Sequence, residues 1–337
     1  MRMPSNFWDK FLINKRNKYS LLIFIVLFVL SLFAEIISND KPIVLMMDDK
    51  IYFPIVISYT DKEFGGYFDT EADYKDEFIT SRLKEESNWA IFPINPHSYD
   101  SINISQSTPN PASPSSHNYL GTDDRGRDVL ARLIYGFRLS VLFAFALTAI
   151  GIIIGIFFGA IQGYFAGRVD LFMQRFIEIW SSMPELYILI IFSSLFEPSI
   201  FLLIVLLSLF GWMSLSDYVR AEFLKGRNME YVIAARTLGL SNTKIILKHI
   251  LPNSMVSVIT FLPFRISGAI LILTSLDFLG LGVPPDTPSL GELLAQGKEN
   301  IEAWWLSLST FLVLVGTLLM LIFIGEGIRE SLDSRSS

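Results

Sequence analysis

The sequence predicts an all-α polytopic membrane protein with six transmembrane helices and an extracytoplasmic insert of mixed or irregular structure between the first two. Hydrophobic residues make up 51% of the 337 residues and charged residues only 18%, whereas soluble domains average about 25% charged residues. The shortage of charge is concentrated in apolar runs of roughly 18 to 25 residues, which as helices match the hydrocarbon thickness of a bilayer. The net charge of −6 argues against nucleic-acid binding.

The first predicted elements are a basic cytoplasmic tail, residues 1–19, and an uncleaved transmembrane helix over residues 20–37. The basic residues of the tail are Arg2, Lys10, Lys15, Arg16 and Lys18. The apolar run is longer than the core of a secretory signal peptide, and no small-residue cleavage site follows it. The tail should therefore remain in the cytoplasm.

The composition of residues 38–138 predicts a periplasmic insert, because this segment mixes acidic, aromatic and turn-forming residues and has no long apolar run. Residues 107–114, Ser-Thr-Pro-Asn-Pro-Ala-Ser-Pro, form a proline-rich connector that is too rigid and polar for a core. The orientation of the first helix places this insert outside the cell membrane.

The helical core is predicted over residues 139–328, with a second cytoplasmic tail at 329–337. Its apolar runs are Leu139–Gly163, Phe176–Phe196, Ser199–Leu215, Met255–Ser275 and Trp304–Ile324. Glu197-Pro198 separates the third span from the fourth and favours a tight hairpin. Residues 217–253 are rich in lysine and arginine, whereas residues 277–303 contain a single lysine, so the first of these loops should be cytoplasmic.

The second span carries a stripe of glycines at intervals of four residues: Gly151, Gly155, Gly159 and Gly163. One face of this helix is therefore bare backbone, which permits close approach of another helix. The partner is either a helix of the same chain or a helix of another subunit.

The loop over residues 217–253 is patterned as a helix–turn–helix. Residues 230–238 predict a helix with Val232, Ala235 and Leu238 on one face. Gly239 should end it in a left-handed cap, and Ser241 or Asn242 should begin a second helix. Leu251-Pro252 then closes the unit and leads into the fifth span. Such a unit is a solvated connector or a docking lever for a cytoplasmic protein. A DNA-binding role is excluded by its place beside the membrane and its lack of a strongly basic face.

Ala234-Ala235-x-x-x-Gly239, followed by Leu251-Pro252, resembles the ATPase-coupling loop, or EAA loop, of ABC-importer permeases of the MetI-like type. Two positions depart from that pattern. Ile233 stands where the family usually has glutamate, and His249 stands where it usually has an aliphatic residue. Residues 120–136 are similar to the segment before the second span in one of the two permease types of peptide importers, and the Lys-His-Ile-Leu-Pro-Asn run at 248–253 is typical of the oligopeptide and dipeptide branch of this binding-protein-dependent family. Residues 64–74, 210–214 and 275–285 resemble the branch that is associated with uptake of peptides and of a peptide-nucleotide antibiotic. Taken alone, residues 120–136 form a polar turn that either orients the next helix or contacts a partner.

The resemblance implies a permease subunit of a peptide importer in the bacterial inner membrane, with both termini cytoplasmic. Its implied partners are a second homologous permease, cytoplasmic ATPase subunits that use ATP and Mg, and a periplasmic substrate-binding protein. The implied cargo is peptides, including the peptide-nucleotide antibiotic microcin C in one branch. The residues implied to couple to the ATPase are Ala234, Ala235, Gly239, Leu251 and Pro252.

The chain itself lacks the phosphate-binding loop of an ATPase, and its three histidines are dispersed, so we expect no bound cofactor, no metal and no catalytic activity. Two alternatives remain. One is the same importer with another small solute, such as a nickel chelate. The other is a membrane-anchored sensor, which would not need an ATPase-coupling loop.

Two charges lie within predicted spans, where charge is costly and usually faces a cavity or a partner. Arg265 lies well inside the fifth span, and Glu178 lies near the inner end of the third. They predict either an ion pair, if these helices meet, or a pathway role in which Arg265 attracts peptide carboxylates. A third interpretation is a side chain that extends to the membrane surface.

Overall fold

The computed structural model describes residues 7–85, 87–102 and 108–332. The chain divides into two compact units. The helical unit comprises Met1–Ile25, Ser140–Pro284 and Leu314–Ser337, and the insert unit comprises Val26–Leu139 and Pro285–Val313. Parts of the predicted tails and of the proline-rich connector, at residues 1–6, 103–107 and 333–337, lie outside the described residues.

The chain begins with three helices: α1 (Phe7–Ile13), α2 (Lys15–Leu32) and α3 (Ala34–Ile37). Much of the predicted basic tail is therefore helical, although the sequence analysis assigned it no secondary structure. Phe11 and Asn17 are buried, and the Arg16 guanidinium pairs with the Glu326 carboxylate at 2.8 Å. Three of the first four residues of α2 are basic, so its apolar part is shorter than the roughly 20 residues that span a bilayer.

The insert unit contains a small antiparallel sheet in which β1 (Val44–Met47) lies between β2 (Lys50–Tyr52) and β3 (Trp89–Ile91). Helix α4 (Glu77–Arg82) follows β2 and is capped by Asp76, whose Oδ1 accepts a hydrogen bond from the Phe78 amide at 2.8 Å. The buried residues around this sheet are Leu45, Met47, Phe64, Ala72, Tyr74 and Ile79.

The next helices are α5 (Val129–Phe165), α6 (Gly167–Ser181), α7 (Glu185–Leu195), α8 (Ile200–Gly211) and α9 (Met213–Gly226). The predicted third span is not straight, because α6 and α7 meet at an angle of 63°. Pro184 explains the bend, since it lacks an amide N–H and restricts the residue before it. The predicted break at Glu197-Pro198 is present between α7 and α8, and Ser199 caps α8 by accepting from the Leu202 amide.

The remaining helices are α10 (Glu230–Thr237), α11 (Asn242–Ile245), α12 (Leu251–Phe278), α13 (Leu290–Glu299) and α14 (Trp304–Leu332). A π-helical turn, Ile246–Ile250, joins α11 directly to α12. Leu251-Pro252 therefore leads into the fifth span as the sequence predicts, and no break separates the second helix from that span. A wider π turn accommodates the missing amide of Pro252 without ending the helix.

Among the described residues, four helical stretches are long and apolar enough to cross a membrane: Val129–Phe165, Ile200–Gly226, Asn242–Phe278 and Trp304–Leu332. The bent α6–α7 pair makes a fifth if it counts as one span. Large apolar side chains such as Ile153, Phe157 and Phe201 remain exposed on these helices. Surfaces of this kind are covered by lipid or by another protein, so the chain is a helical membrane protein.

Candidate functional site

The turn between α10 and α11 has the geometry that its glycine predicts. Gly239 has a φ of 77°, in the left-handed region. The Leu240 amide donates to the Ala235 carbonyl at 3.2 Å, and the Gly239 amide donates to the Arg236 carbonyl at 3.0 Å. This pair of bonds is the Schellman motif, which satisfies the last carbonyls of a helix and requires a left-handed residue. The predicted cap is therefore confirmed.

One face of the coupling segment, defined here as residues 230–252, is buried within the helical unit. Its buried residues are Val232, Ala235, Ile245 and Ile250, which form one apolar cluster with Ala160 and Tyr164 of α5 and with Leu215, Val219 and Phe223 of α9. Leu251 packs against the same cluster, and Pro252 is half-buried in the first turn of α12. The segment is thus packed onto two long helices and is not a solvated connector.

Polar contacts reinforce this packing. The Tyr164 hydroxyl donates to the Asn242 side-chain oxygen at 2.7 Å, and the Arg236 guanidinium lies over the Tyr164 ring at 5.6 Å from its centroid. The Asn253 amide group donates to the Tyr231 hydroxyl at 3.1 Å. Each contact ties one part of the coupling segment to α5 or α12, so the segment and these helices should move together.

The opposite face of the coupling segment is exposed and partly apolar. Leu238 is 80% exposed, which corrects the prediction that it shares a face with Val232 and Ala235. It lies at the cap position, after the last helical residue, so the helical period no longer sets its direction. The other exposed apolar residues on the segment and at its start are Met229, Ile233, Ala234 and Leu247. An exposed apolar patch of this kind marks a protein contact.

The glycine stripe of α5 packs against the end of α8 and against α9. Its partner is therefore a helix of the same chain and not a helix of another subunit. A Cβ at Gly159 would lie 2.5 Å from the Ser216 carbonyl oxygen, and one at Gly163 would lie 2.5 Å from the Arg220 carbonyl oxygen. One at Gly155 would lie 3.1 Å from the Trp212 carbonyl oxygen. Only glycine allows the two backbones to approach this closely.

Arg265 and Glu178 do not form the ion pair that the sequence allowed. The Arg265 guanidinium donates to the Gly211 carbonyl at 2.5 Å and to the Ser214 hydroxyl at 3.1 Å. The Glu178 carboxylate pairs instead with Arg175, one helical turn away, at 2.5 Å. Arg265 therefore supplies hydrogen bonds at the junction of α8 and α9, where a carbonyl loses its helical partner.

The polar motif at residues 120–136 builds a buried network in the insert unit. The Asp123 carboxylate accepts from the Arg125 and Arg127 amides at 3.0 and 2.8 Å, and from the Arg127 guanidinium at 2.7 Å. Asp128 begins α5 by accepting from the Ala131 amide at 2.8 Å. Local hydrogen bonding, the simpler of the two interpretations of this motif, accounts for these contacts.

Glu292 of α13 completes the network, and no spacing in the sequence pointed to it. Its carboxylate pairs with Arg127 at 3.0 Å and also with the fully buried Arg132. Burial lowers the pKa of Arg127, but the Asp123 and Glu292 carboxylates outweigh burial and raise that pKa above its usual value. Arg132 also donates to the Tyr99 and Thr287 carbonyls at 3.2 and 3.1 Å. The buried guanidinium groups of Arg127 and Arg132 therefore share the carboxylates of Glu292 and Asp123.

We expect Glu292→Gln to destabilise the insert unit by about 3–5 kcal/mol, because it leaves one carboxylate, that of Asp123, to balance two buried guanidinium groups. The measurement is the thermal unfolding midpoint in detergent, together with the rate of tryptic cleavage within the insert unit. Glu299→Gln is the matched control, since Glu299 lies exposed on the same helix. Equal midpoints for the two variants would contradict a stabilising role for Glu292.

A helical membrane protein with a helix–turn–helix packed onto its spanning helices has the architecture of a transporter permease. The chain belongs to the family of inner membrane components of binding-protein-dependent transport systems, whose family profile matches residues 151–337. It is a multi-pass inner-membrane protein. Members of this family are non-catalytic subunits of ABC transporters, so the prediction that the chain is not itself an enzyme is confirmed.

Two relatives align over nearly their whole length. The chain is 49% identical to the inner membrane ABC transporter permease protein YejE of Escherichia coli K12, over 97% of this chain and 95% of that protein. It is 45% identical to the peptidoglycan transport system permease protein YejE of Agrobacterium fabrum, over 98% and 92%. The oligopeptide transport system permease protein OppC of Haemophilus influenzae is 38% identical over 65% of this chain and 71% of that protein.

Proposed function

We propose that this chain is one of two permease subunits of an ATP-driven, binding-protein-dependent importer of peptides, including microcin C. The coupling segment carries this proposal. Its inner face is buried against α5 and α9, and its outer face presents exposed apolar residues, among them Leu238 and Ile233. A partner that docks on the outer face can therefore move the long helices through the inner face. Relatives named for oligopeptide and dipeptide transport support the cargo.

The proposed assembly contains a second homologous permease, two cytoplasmic ATPase domains that bind ATP and Mg, and a periplasmic binding protein that delivers the peptide. Closure of the ATPase on ATP would shift the coupling segment and switch the side to which the pathway opens. Such alternating access requires peptide and ATP to favour different states of the complex. Ala234, Gly239 and Leu238 would contact the ATPase, whereas Ala235 and Leu251 would transmit the movement.

The proposed topology has six spans, with α2 and α3 as the first and the α6–α7 pair as the third. Both termini and the coupling segment are then cytoplasmic, and residues 38–138 form the periplasmic insert. The lysine and arginine content of residues 217–253 supports this orientation.

A cysteine introduced at Ile94, which is 80% exposed, should react with a membrane-impermeant reagent added outside.

The test is a pull-down of the chain in mild detergent, followed by an assay of peptide-stimulated ATP hydrolysis. We expect an ATPase and a second permease in the eluate. Leu238→Asp should lower ATPase recovery at least about tenfold, because it places a charge in an apolar contact. Ile94→Asp, equally exposed but in the insert unit, should leave recovery unchanged.

The same experiment separates the alternatives. Stimulation by a nickel chelate but not by peptides would assign the importer another cargo. Recovery of the chain without an ATPase would contradict the importer and favour a membrane-anchored sensor.

A further inference from the structure

An open groove of about 470 Å³ lies between α13 and the first two turns of α14. The two helices touch at its floor, because a Cβ at Gly297 would lie 2.2 Å from the Ser307 Oγ and 2.9 Å from the Ser307 amide nitrogen. The walls of the groove are formed by the apolar residues Leu294, Ile301, Trp304, Leu308 and Phe311. None of the described residues that line the groove is charged, so an apolar occupant fits it.

The walls of this groove leave a large apolar surface uncovered. Ile301 is 85% exposed, Trp304 60% and Phe311 53%. On α14 the wall residues Trp304, Leu308 and Phe311 follow the helical spacing of three and four residues, so they lie on one face. Leu312, one residue further along α14, is also exposed. A continuous apolar surface of this kind is covered by lipid or by another protein.

The boundary between polar and apolar sequence falls at this groove. Glu299 and Glu302 precede the apolar run that begins at Trp304, and α14 is long and apolar enough to cross a membrane. At 1.5 Å per residue, Phe311 lies about 10 Å further along the helix than Trp304. Interfacial helices bury their apolar faces about 5–10 Å into the membrane surface. The groove therefore spans the depth at which phospholipid headgroups give way to acyl chains.

Two adjacent tryptophans at this boundary have different environments. Trp305 is buried, and its indole Nε1 donates to the Thr122 carbonyl at 3.2 Å. Trp304 is exposed, and its indole N–H has no acceptor among the residues that the structure describes. Tryptophans at the ends of membrane spans place the ring against apolar chains and the N–H at headgroup level. A phospholipid can satisfy both parts of Trp304, whereas an apolar protein side chain would satisfy the ring alone.

We propose that this groove binds one acyl chain of a membrane phospholipid, from the leaflet in which α14 begins, with the Trp304 indole N–H donating to the headgroup region. Helix α13 then lies along the membrane surface. Another face of α13 carries Glu292, whose carboxylate pairs with Arg127 at 3.0 Å. The lipid and the charge network therefore hold α13 from two sides. This inference is independent of the cargo of the proposed importer.

The test is a titration of the full chain in detergent with phosphatidylcholine that carries two bromine atoms on one acyl chain. Bromine quenches tryptophan fluorescence at short range, and the emission of Trp304 is the difference between the unmodified chain and Trp304→Phe. This difference should fall to a plateau as the lipid is added. The control is Trp89→Phe, because Trp89 is also exposed but lies in the sheet of the insert unit. Its removal should leave the quenched signal unchanged.

Two matched variants separate the groove from lipid that surrounds the whole helix. Leu308 and Leu312 are both exposed on α14, but only Leu308 lines the groove. Leu308→Asn should raise the half-saturating lipid concentration about tenfold, as expected for the loss of one buried leucine contact. Leu312→Asn should leave that concentration unchanged. Ile301→Ser changes a groove residue outside the helices, so it should weaken binding without disturbing a membrane span.

Three outcomes would overturn the lipid site. Equal weakening by Leu308→Asn and Leu312→Asn, or quenching without a plateau, would show that lipid contacts α14 only non-specifically. Quenching of Trp304 in the isolated chain but not in the complete transporter would show that a partner subunit covers the groove. The proposed function is untouched by all three, because its test is the recovery of an ATPase and its stimulation by peptide.

Discussion

Gly163→Leu should prevent the helical unit from folding, whereas Gly163→Ala should destabilise it by about 1–3 kcal/mol. A Cβ at this position would lie 2.5 Å from the Arg220 carbonyl oxygen and 2.5 Å from the Phe223 Cβ. Relief of these contacts requires α5 and α9 to separate. Separation would also open the cluster that contains Phe223 and Val232, so the coupling segment would lose its support. The measurement is the yield of monodisperse protein in detergent and its thermal unfolding midpoint.

The control is the same pair of changes at Gly268 of α12, where a Cβ would meet no heavy atom within 4 Å. Gly268→Ala should be neutral or slightly stabilising, because alanine favours a helix over glycine. If Gly163→Leu and Gly268→Leu gave the same yield and midpoint, the close approach of α5 and α9 would not be a requirement for folding.

Gly239→Val should reduce peptide-stimulated ATP hydrolysis by the proposed transporter at least about tenfold, since a β-branched residue strongly disfavours positive φ. The turn would lose the left-handed residue that both Schellman hydrogen bonds require. The angle between α10 and α11 would then change, and with it the direction of the exposed apolar face. Complex recovery and ATP hydrolysis with and without peptide provide the measurement.

Gly239→Asn is the matched variant, because asparagine tolerates the left-handed region. A Cβ at Gly239 would meet no heavy atom of the chain within 4 Å, so asparagine should retain most of the stimulation. Two outcomes would be informative in opposite ways. Wild-type stimulation in Gly239→Val would show that the turn geometry is not used in coupling. Loss of stimulation in both variants would show that the ATPase contacts the glycine backbone directly.

The mechanical role of the coupling segment depends on how it continues into α12. The π turn at Ile246–Ile250 makes α11 and α12 one uninterrupted helical stretch. On the proposed function, a displacement at Leu238 or Leu247 is therefore transmitted to α12 along the chain as well as to α5 and α9 by packing. A break between α11 and α12 would have isolated α12 from the segment.

Several local features followed from the sequence because they depend on neighbouring residues. The length and apolarity of the runs predicted the long helices, and the interval of four residues in the glycine stripe predicted a close helix contact. Gly239 predicted its own left-handed cap. The bend at Pro184 had a signal in the proline itself, but the apolar run on both sides of it favoured one straight span.

Other features depend on residues far apart in the chain, and these the sequence did not predict correctly or at all. Charge alone allowed an ion pair between Arg265 and Glu178, but Arg265 binds Gly211 and Ser214, and Glu178 binds Arg175. Glu292 completes the charge network of Arg127 and Arg132 from more than 150 positions away, and no periodicity relates these positions.

The sequence by itself determined that this protein is a helical membrane protein with a capped helix–turn–helix between two of its long helices. Membrane insertion and helix capping are decided by composition and by neighbouring residues, so a single sequence contains that information. Only the tertiary structure decided that the glycine stripe packs within the chain and that Leu238 faces outward. Only the fold also placed Glu292 beside Arg127 and Arg132, because neighbours brought together by folding set the environment of a side chain.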